Sequence, residues 1–287
     1  MTEWEILLDC LDRALKMRFS RITAAEISLP PPDWRNPLTF YVGIGISIPL
    51  SGVQPQYFYR NGKWQHFVCH PGEVMLFPKM CYIGNSNEQY ETENFGLVLH
   101  PGFLRLIYGG RNIPGYANGL IAHVHLSNSL RSSTRALIEL LSLLAQSGDP
   151  DDMALQILTL LLRAVRSDLQ ASGSEHGEIS DDLFWKICFF ISDNFMTIGT
   201  RGEVAEHFHI SEVYLSKLFQ RCGNGETFNE YLNHIRLEAA VQLLRYSDLS
   251  CHELARRCGY ASTSYFIRRF KKHFRCTPLD YRKKHEN

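Results

Sequence analysis

Apolar residues along the first 126 positions come in short bursts. The segments "LTFYVGIGISI", "QYFYR", "KWQHFV", "EVMLFP", "FGLVLH" and "IAHVHL" are aromatic and β-branched, and Pro, Gly and Asn separate them. This pattern predicts β-structure from about 20 to 126. "RNGK" predicts a two-residue type I′ turn at Asn61-Gly62. That turn sets a register in which Arg60 faces Lys63, Tyr59 faces Trp64, Phe58 faces Gln65 and Tyr57 faces His66. Beyond 126 the period changes. The segments 129–147 and 150–170 carry leucines at helical spacing, split by "SGDP". "ASGSEHGEIS" (171–180) reads as a polar linker, and from 182 to the end the pattern is helical throughout.

The helical C-terminal region repeats itself. "EVAEHFHISEVYLSKLFQR" (203–221) matches "ELARRCGYASTSYFIRRFKK" (253–272). Glu203, Val204 and Ala205 correspond to Glu253, Leu254 and Ala255, an offset of 50. One inserted residue raises the offset to 51, so that Ser211 matches Ser262, Lys217 matches Arg268 and Phe219 matches Phe270. Each copy predicts a short helix with a small residue where another helix crosses, a tight turn, and a second helix N-capped by Ser211 or Ser262. The expected apolar faces are Tyr214, Leu215, Leu218 and Phe219 in one copy, and Tyr265, Phe266, the stem of Arg269 and Phe270 in the other. This is the layout of a helix-turn-helix, whose second helix enters the DNA major groove. Between the copies, "ETFNEYLNHIRLEAAVQLLRYS" (226–247) predicts a long connecting helix. About 20 residues span roughly 30 Å, close to the roughly 34 Å repeat of DNA.

Charge strengthens this picture. The chain is neutral overall, with 30 basic and 30 acidic residues, but residues 182–287 hold 16 Lys+Arg against 12 Asp+Glu. Between 250 and 285 the count is 10 against 2. A basic end on an otherwise acidic chain suggests a polyanion partner.

The stretch "ELARRCGYASTSYFIRRFKKHFRCTPLDYRK" resembles the signature of the AraC/XylS family of transcription regulators, and "SEVYLSKLF" with "GETFNEYLNHIRLEAAVQLL" agrees with its first half. The resemblance implies a seven-helix DNA-binding domain with two helix-turn-helix motifs, joined to an N-terminal sensing and dimerisation domain. It also implies activation of transcription and RNA polymerase as a partner. The expected base-contacting residues are Val213, Ser216, Lys217, Ser264, Ile267 and Arg268. Arg268 suits a guanine, whose O6 and N7 a guanidinium can bond together. Val213 is open to a second reading, burial in the core. Arg221, Lys271, Lys272 and Arg275 are the expected phosphate contacts. Arg275 departs from the family, which usually has Gly there.

"HPGEVMLFPK" resembles a turn and strand of the cupin-like barrels found in many members. The expected fold is therefore α+β: a cupin-like β-barrel with a helical dimerisation segment, then an all-α double helix-turn-helix domain. The expected divisions are 1–126 for the sensor, 127–170 for the helical pair, 171–181 for the linker and 182–287 for the DNA-binding domain. One face of the predicted hairpin holds Tyr57, Tyr59, Trp64 and His66. Lining a barrel, such a row suits a small-molecule effector with apolar and hydroxyl faces, such as a sugar. The competing reading is a plain aromatic core. A homodimer is expected through the Leu-rich helices, since paired half-sites match a two-fold protein.

Other classes fare worse. The barrel region has His66, His70 and His100 but lacks the early His-x-His of metal-binding cupins, and the pair His123 and His125 comes late. No paired carboxylates or activated nucleophile point to an enzyme, so a cupin enzyme fused to a helical domain is the weaker alternative, beside a ligand-independent DNA-binding protein. No cofactor is expected. The eight cysteines form no CxxC pair and read as reduced residues of a cytoplasmic protein. The N-terminus lacks the apolar core of a signal peptide, and no run approaches the ~18 apolar residues of a membrane span.

Overall fold

Residue alternation in one short strand organises the N-terminal half. In β6 (Glu73–Phe77), Val74 and Leu76 join one apolar cluster while Met75 and Phe77 join another. Side chains two apart share a face, so one strand serves two cores. The structure is a computed structural model describing residues 3–26, 38–41, 43–60, 63–79, 81–85, 91–100, 103–110, 119–126, 130–146, 152–172, 179–223 and 225–285. The chain divides into two units, Met1–His176 and Gly177–Asn287.

The first unit contains two sheets. The six-stranded sheet has the order β1 (Arg21–Ala24), β6, β3 (Ile44–Gly52), β8 (Thr92–Leu99), β9 (Leu104–Gly110), β10 (Gly119–Leu126). The four-stranded sheet has the order β2 (Leu38–Tyr41), β7 (Cys81–Asn85), β4 (Gln54–Arg60), β5 (Lys63–Cys69). Helices α1 (Glu3–Lys16), α2 (Ser132–Gln146) and α3 (Asp152–Ser172) cover one face of the larger sheet. That core gathers Leu7, Leu11, Ile46, Ile48, Leu97, Leu141, Leu158 and Leu162. The second core, Phe58, Cys69, Met75, Phe77, Cys81 and Ile83, draws on both sheets.

The expected cupin-like barrel is not found as a closed barrel among the described residues. Among the described strands the sheets stay separate, with β1 and β10 at the ends of one and β2 and β5 at the ends of the other. Two cores on opposite faces of one sheet give layered packing. α1 was not foreseen either. It is docked by Arg13 Nη2, which donates to Glu93 Oε2 at 2.6 Å, and by Arg166 Nε, which donates to Asp12 Oδ1 at 2.6 Å. Glu93 also accepts from Ser51 Oγ at 2.7 Å and from the Tyr108 hydroxyl. The Arg13 hydrogen bond, with those from Tyr108 and Ser51, outweighs desolvation and lowers the Glu93 pKa to about 2.

The hairpin register is the one expected: Arg60 pairs with Lys63, Tyr59 with Trp64, Phe58 with Gln65 and Tyr57 with His66. The turn residues Asn61 and Gly62, the "SGDP" break and 173–178 of the expected linker lie outside the described residues.

The second unit has seven described helices: α4 (Ile179–Asn194), α5 (Arg201–His207), α6 (Glu212–Cys222), α7 (Phe228–Tyr246), α8 (Cys251–Arg257), α9 (Thr263–Phe274) and α10 (Pro278–His285). The two repeats fold alike. Thr200 and Ser250 cap α5 and α8, accepting from the backbone N–H groups of Glu203 and Glu253. Ala205 and Ala255 are buried, and their carbonyls accept from the N–H groups of Ile210 at 2.9 Å and Tyr260 at 2.8 Å. The left-handed turn residue is His209 (φ 54) in one copy and Gly259 (φ 77) in the other. α7 runs between them, opened by a capping box of Thr227 and Glu230 and buried along most of its length.

Candidate nucleic-acid interface

Ser211 Oγ accepts from the Tyr214 N–H at 3.1 Å, and Ser262 Oγ accepts from the Tyr265 N–H at 3.3 Å. These caps start α6 and α9 at equivalent places in the repeat. From there the helical period sets which side chains go inward. Leu215, Leu218 and Phe219 are buried on α6, and Phe266 and Phe270 on α9. The opposite sides carry the expected base-reading positions. Val213 is 65% exposed, which settles its two readings against core burial. Lys217, Ser264 and Arg268 are exposed, and Ser216 and Ile267 are half-buried. All four expected phosphate contacts, Arg221, Lys271, Lys272 and Arg275, are exposed.

The two tyrosines assigned to the apolar faces do not belong there. Tyr214 is 41% exposed and Tyr265 39% exposed. Each stands at the third position after its cap, one residue before the first buried one, so its ring falls on the edge of the apolar stripe. The Tyr265 ring is 6.1 Å from that of Tyr260 and lies under the Arg268 guanidinium, whose Cζ is 5.3 Å from the ring centroid.

Three features escaped the sequence reading. Arg201, at the start of α5, reaches α6: its Nε donates to Glu212 Oε2 at 2.8 Å and its Nη1 to Ser216 Oγ at 3.2 Å. Lys283 and Lys284 join Lys271 and Arg275 around a hollow of about 370 Å³, with Cys276, Thr277 and Asp280. Asp280 is held below its ordinary pKa by hydrogen bonds from the side chain and backbone of Thr277. Arg236 of α7 is buried, with Nε donating to the Phe195 carbonyl at 3.0 Å and Nη2 to the Ile198 carbonyl at 2.6 Å. Its guanidinium also lies 5.4 Å from the Tyr260 ring centroid. Arg236 thus ties the turn of the second motif to the loop before the first. Burial pushes the pKa of this guanidinium below its usual value. The clue in the sequence was an arginine set between Ile235 and Leu237 of the long connecting helix. Arg275 has φ 61 and caps α9 in the left-handed region, so the departure from Gly is a real backbone cost of about 1 kcal/mol.

In the first unit, the candidate effector residues share one face of the β4–β5 hairpin. Tyr57 stacks on His66 at 4.6 Å, and Tyr59 meets Trp64 edge-on at 6.2 Å. His66 is exposed and the other three are half-buried. The opposite face carries Phe58, stacked on Phe67 at 4.3 Å, and it is this face that enters the second core. The expectation that the polar-tipped aromatic row lines the interior is therefore corrected: alternation sends Phe58 inward and its neighbours to the other side. The larger sheet's own contribution to that inner side is partly polar, since Ser47 Oγ lies 2.9 Å from the side-chain amides of both Gln54 and Asn94. His123 and His125 pair in register with Ile107 and Arg105 on β9, and their side chains lie outside the described set. Among the described residues, no group of three His, Cys, Asp or Glu side chains is arranged to hold a metal ion.

A helix-turn-helix domain family matches residues 204–284. The HTH-type transcriptional regulator YijO of Escherichia coli is 37% identical over 151 residues, 53% of this chain and 53% of that protein. The HTH-type transcriptional activator RhaS of Salmonella newport is 28% identical over 167 residues, 56% of this chain and 57% of that protein. The chain thus spans about half the length of the curated relatives it matches. Among solved structures, a transcriptional regulator of Chromobacterium violaceum described as AraC-type is 24% identical, covers 37% of this chain and 94% of that one, and has a TM-score of 0.34. Residues 204–284 of this chain thus form a helix-turn-helix domain similar to those of these transcription regulators.

Proposed function

We propose that the chain is a sequence-specific regulator of transcription that binds duplex DNA with both α6 and α9. The observation that carries this reading is the duplication of one geometry: two serine-capped helices, each burying one side and exposing the other. Val213, Ser216 and Lys217 face one stretch of major groove, and Ser264, Ile267 and Arg268 face the next. The 19 residues of α7 span about 28 Å, close to the helical repeat of DNA. Arg221, Lys271, Lys272 and Arg275, joined by Lys283 and Lys284, hold phosphates and set the register without reading sequence. Mobility-shift titration of the full chain on promoter fragments against unrelated duplexes tests this. Equal affinity for both at physiological salt contradicts it.

Regulation is assigned to the first unit. The chain acts in the cytoplasm as an activator working with RNA polymerase, in keeping with the name of its relative RhaS, and it responds to a small-molecule effector. The row Tyr57, Tyr59, Trp64 and His66 suits a ligand with apolar and hydroxyl faces, such as a sugar, bound against the hairpin rather than inside the sandwich. It works as a homodimer: α2 exposes Leu140 and Leu143, and α3 exposes Met153 and Leu160, which gives a second copy an apolar surface to cover. No described helix is long and apolar enough to cross a membrane. Sedimentation of wild type against L143E tests the dimer, and thermal shift with a panel of sugars, repeated on W64A, tests the effector row.

A further inference from the structure

The hydroxyl at the expected base-reading position Ser216 is already engaged. Ser216 Oγ donates to the Glu212 carbonyl one turn back at 2.9 Å and accepts from Arg201 Nη1 at 3.2 Å. A hydroxyl has one proton to give. With that proton on the backbone and a guanidinium on its oxygen, Ser216 has little left to offer a base edge.

The guanidinium is seated from its other side as well. Arg201 Nε donates to Glu212 Oε2 at 2.8 Å, and Nη2 lies 2.8 Å from the same oxygen. α5 makes room for that carboxylate: a Cβ on Gly202 would lie 3.1 Å from Glu212 Oε1. Glycine weakens a helix, and here its missing side chain gives the carboxylate a few tenths of an ångström of room. Glu212 and Ser216 lie on the same side of α6 as Val213 and Lys217. Arg201 therefore sits on the groove-facing side of a helix that is not its own. Its two hydrogen bonds, from Nε and Nη1, leave N–H groups on both terminal nitrogens, and a guanine O6 and N7 can accept from such a pair. The Arg201 charge also offsets a carboxylate that would otherwise repel phosphates at the start of α6.

We infer that Arg201 is a specificity-determining residue: seated by Glu212 over Ser216, it reads a guanine in the major groove in place of the serine. This rests on the reading of the unit as a duplex-DNA reader.

Selection from a pool of duplexes with a randomised core, using the full chain, tests it. If wild type enriches no sequence, the regulator reading itself falls, and this inference with it. Once wild type enriches a site, R201A is expected to lose the preference for guanine at one position by about tenfold. R201K is expected to lose the same preference while keeping the wild-type salt dependence, because an ammonium has the charge but not the fork. E212Q, which loosens the seat, is expected to weaken that position and no other. The inference is overturned if R201A leaves every base preference intact and only flattens the salt dependence, which would make Arg201 a phosphate contact. If R201A or E212Q melts below wild type, R201K decides alone: retained guanine preference in R201K overturns the inference.

Discussion

Arg268 lies over the ring of Tyr265, with its Cζ 5.3 Å from the ring centroid, and both side chains are solvent-exposed on α9. The ring restricts where the guanidinium can go before DNA arrives. A contact of this kind is worth about 0.5–1 kcal/mol at an exposed site. Y265F keeps the ring and is expected to bind a selected duplex as wild type does. Y265A is expected to bind it about two- to fivefold more weakly, with the loss concentrated at the base pair read by Arg268. Fluorescence anisotropy on the selected duplex and on single-base variants checks this. Equal losses at every base pair would make the tyrosine a general contact.

Lys271 and Lys272 follow Arg268 on the exposed side of α9 and have no base edge assigned to them. K271A with K272A is expected to weaken binding to all duplexes and to reduce the slope of log affinity against log salt by about 2, roughly 1 per contact. An unchanged slope contradicts the assignment.

The two turns differ where the chain turns left-handed. His209 has φ 54 where the second copy has Gly259 at φ 77. Replacing His209 with glycine is expected to raise stability by up to about 1 kcal/mol in thermal unfolding, relief of left-handed strain being partly offset by unfolded-state entropy. Gly259→Ala goes the other way. Its Cβ would lie 2.7 Å from the Met196 carbonyl and 2.8 Å from that of Phe195. That clash is with backbone, so a loss of about 2 kcal/mol or more is expected. A neutral Gly259→Ala would show that the Gly259 turn and the 195–198 loop part easily.

Glu93 makes the first unit sensitive to acid. Its folded pKa is depressed to about 2, chiefly by Arg13. A depressed carboxylate contributes stability that is full above its unfolded pKa of about 4.3 and is lost as pH falls toward 2. E93Q is expected to unfold at lower urea than wild type at pH 7, with a deficit on the order of 1 kcal/mol. The deficit should shrink between about pH 4.3 and pH 2. Urea melts at several pH values check it, and a deficit independent of pH removes Glu93 from the account.

The C-terminal unit was the more legible part because its signals are local and duplicated. A serine cap followed by buried residues at helical spacing places Leu215 and Phe266 inward with little help from tertiary structure, and the copy at an offset of 50 or 51 fixes the alignment. Tyr214 and Tyr265 were misplaced because an aromatic at the edge of an apolar stripe looks the same in sequence as one at its centre. Arg201 was invisible because its role depends on two helices meeting, and Gly202 gives no hint of the carboxylate beside it. The Tyr57–His66 pairing was legible from the Asn61-Gly62 turn, since turn type sets register. Which face of that hairpin turns inward was not, because both faces are aromatic: Phe58 and Phe67 on one, Tyr57, Tyr59 and Trp64 on the other. Sheet closure was not legible for the same reason, as two open sheets and a barrel share one alternating pattern.

Selection of binding sites from random duplex by the full chain, followed by the same selection with R268A, tests the central claim most directly. Two short motifs about one helical turn apart are expected, one per recognition helix, and R268A is expected to erase a guanine preference in one of them alone. A single motif, or two motifs that R268A leaves unchanged, would contradict it.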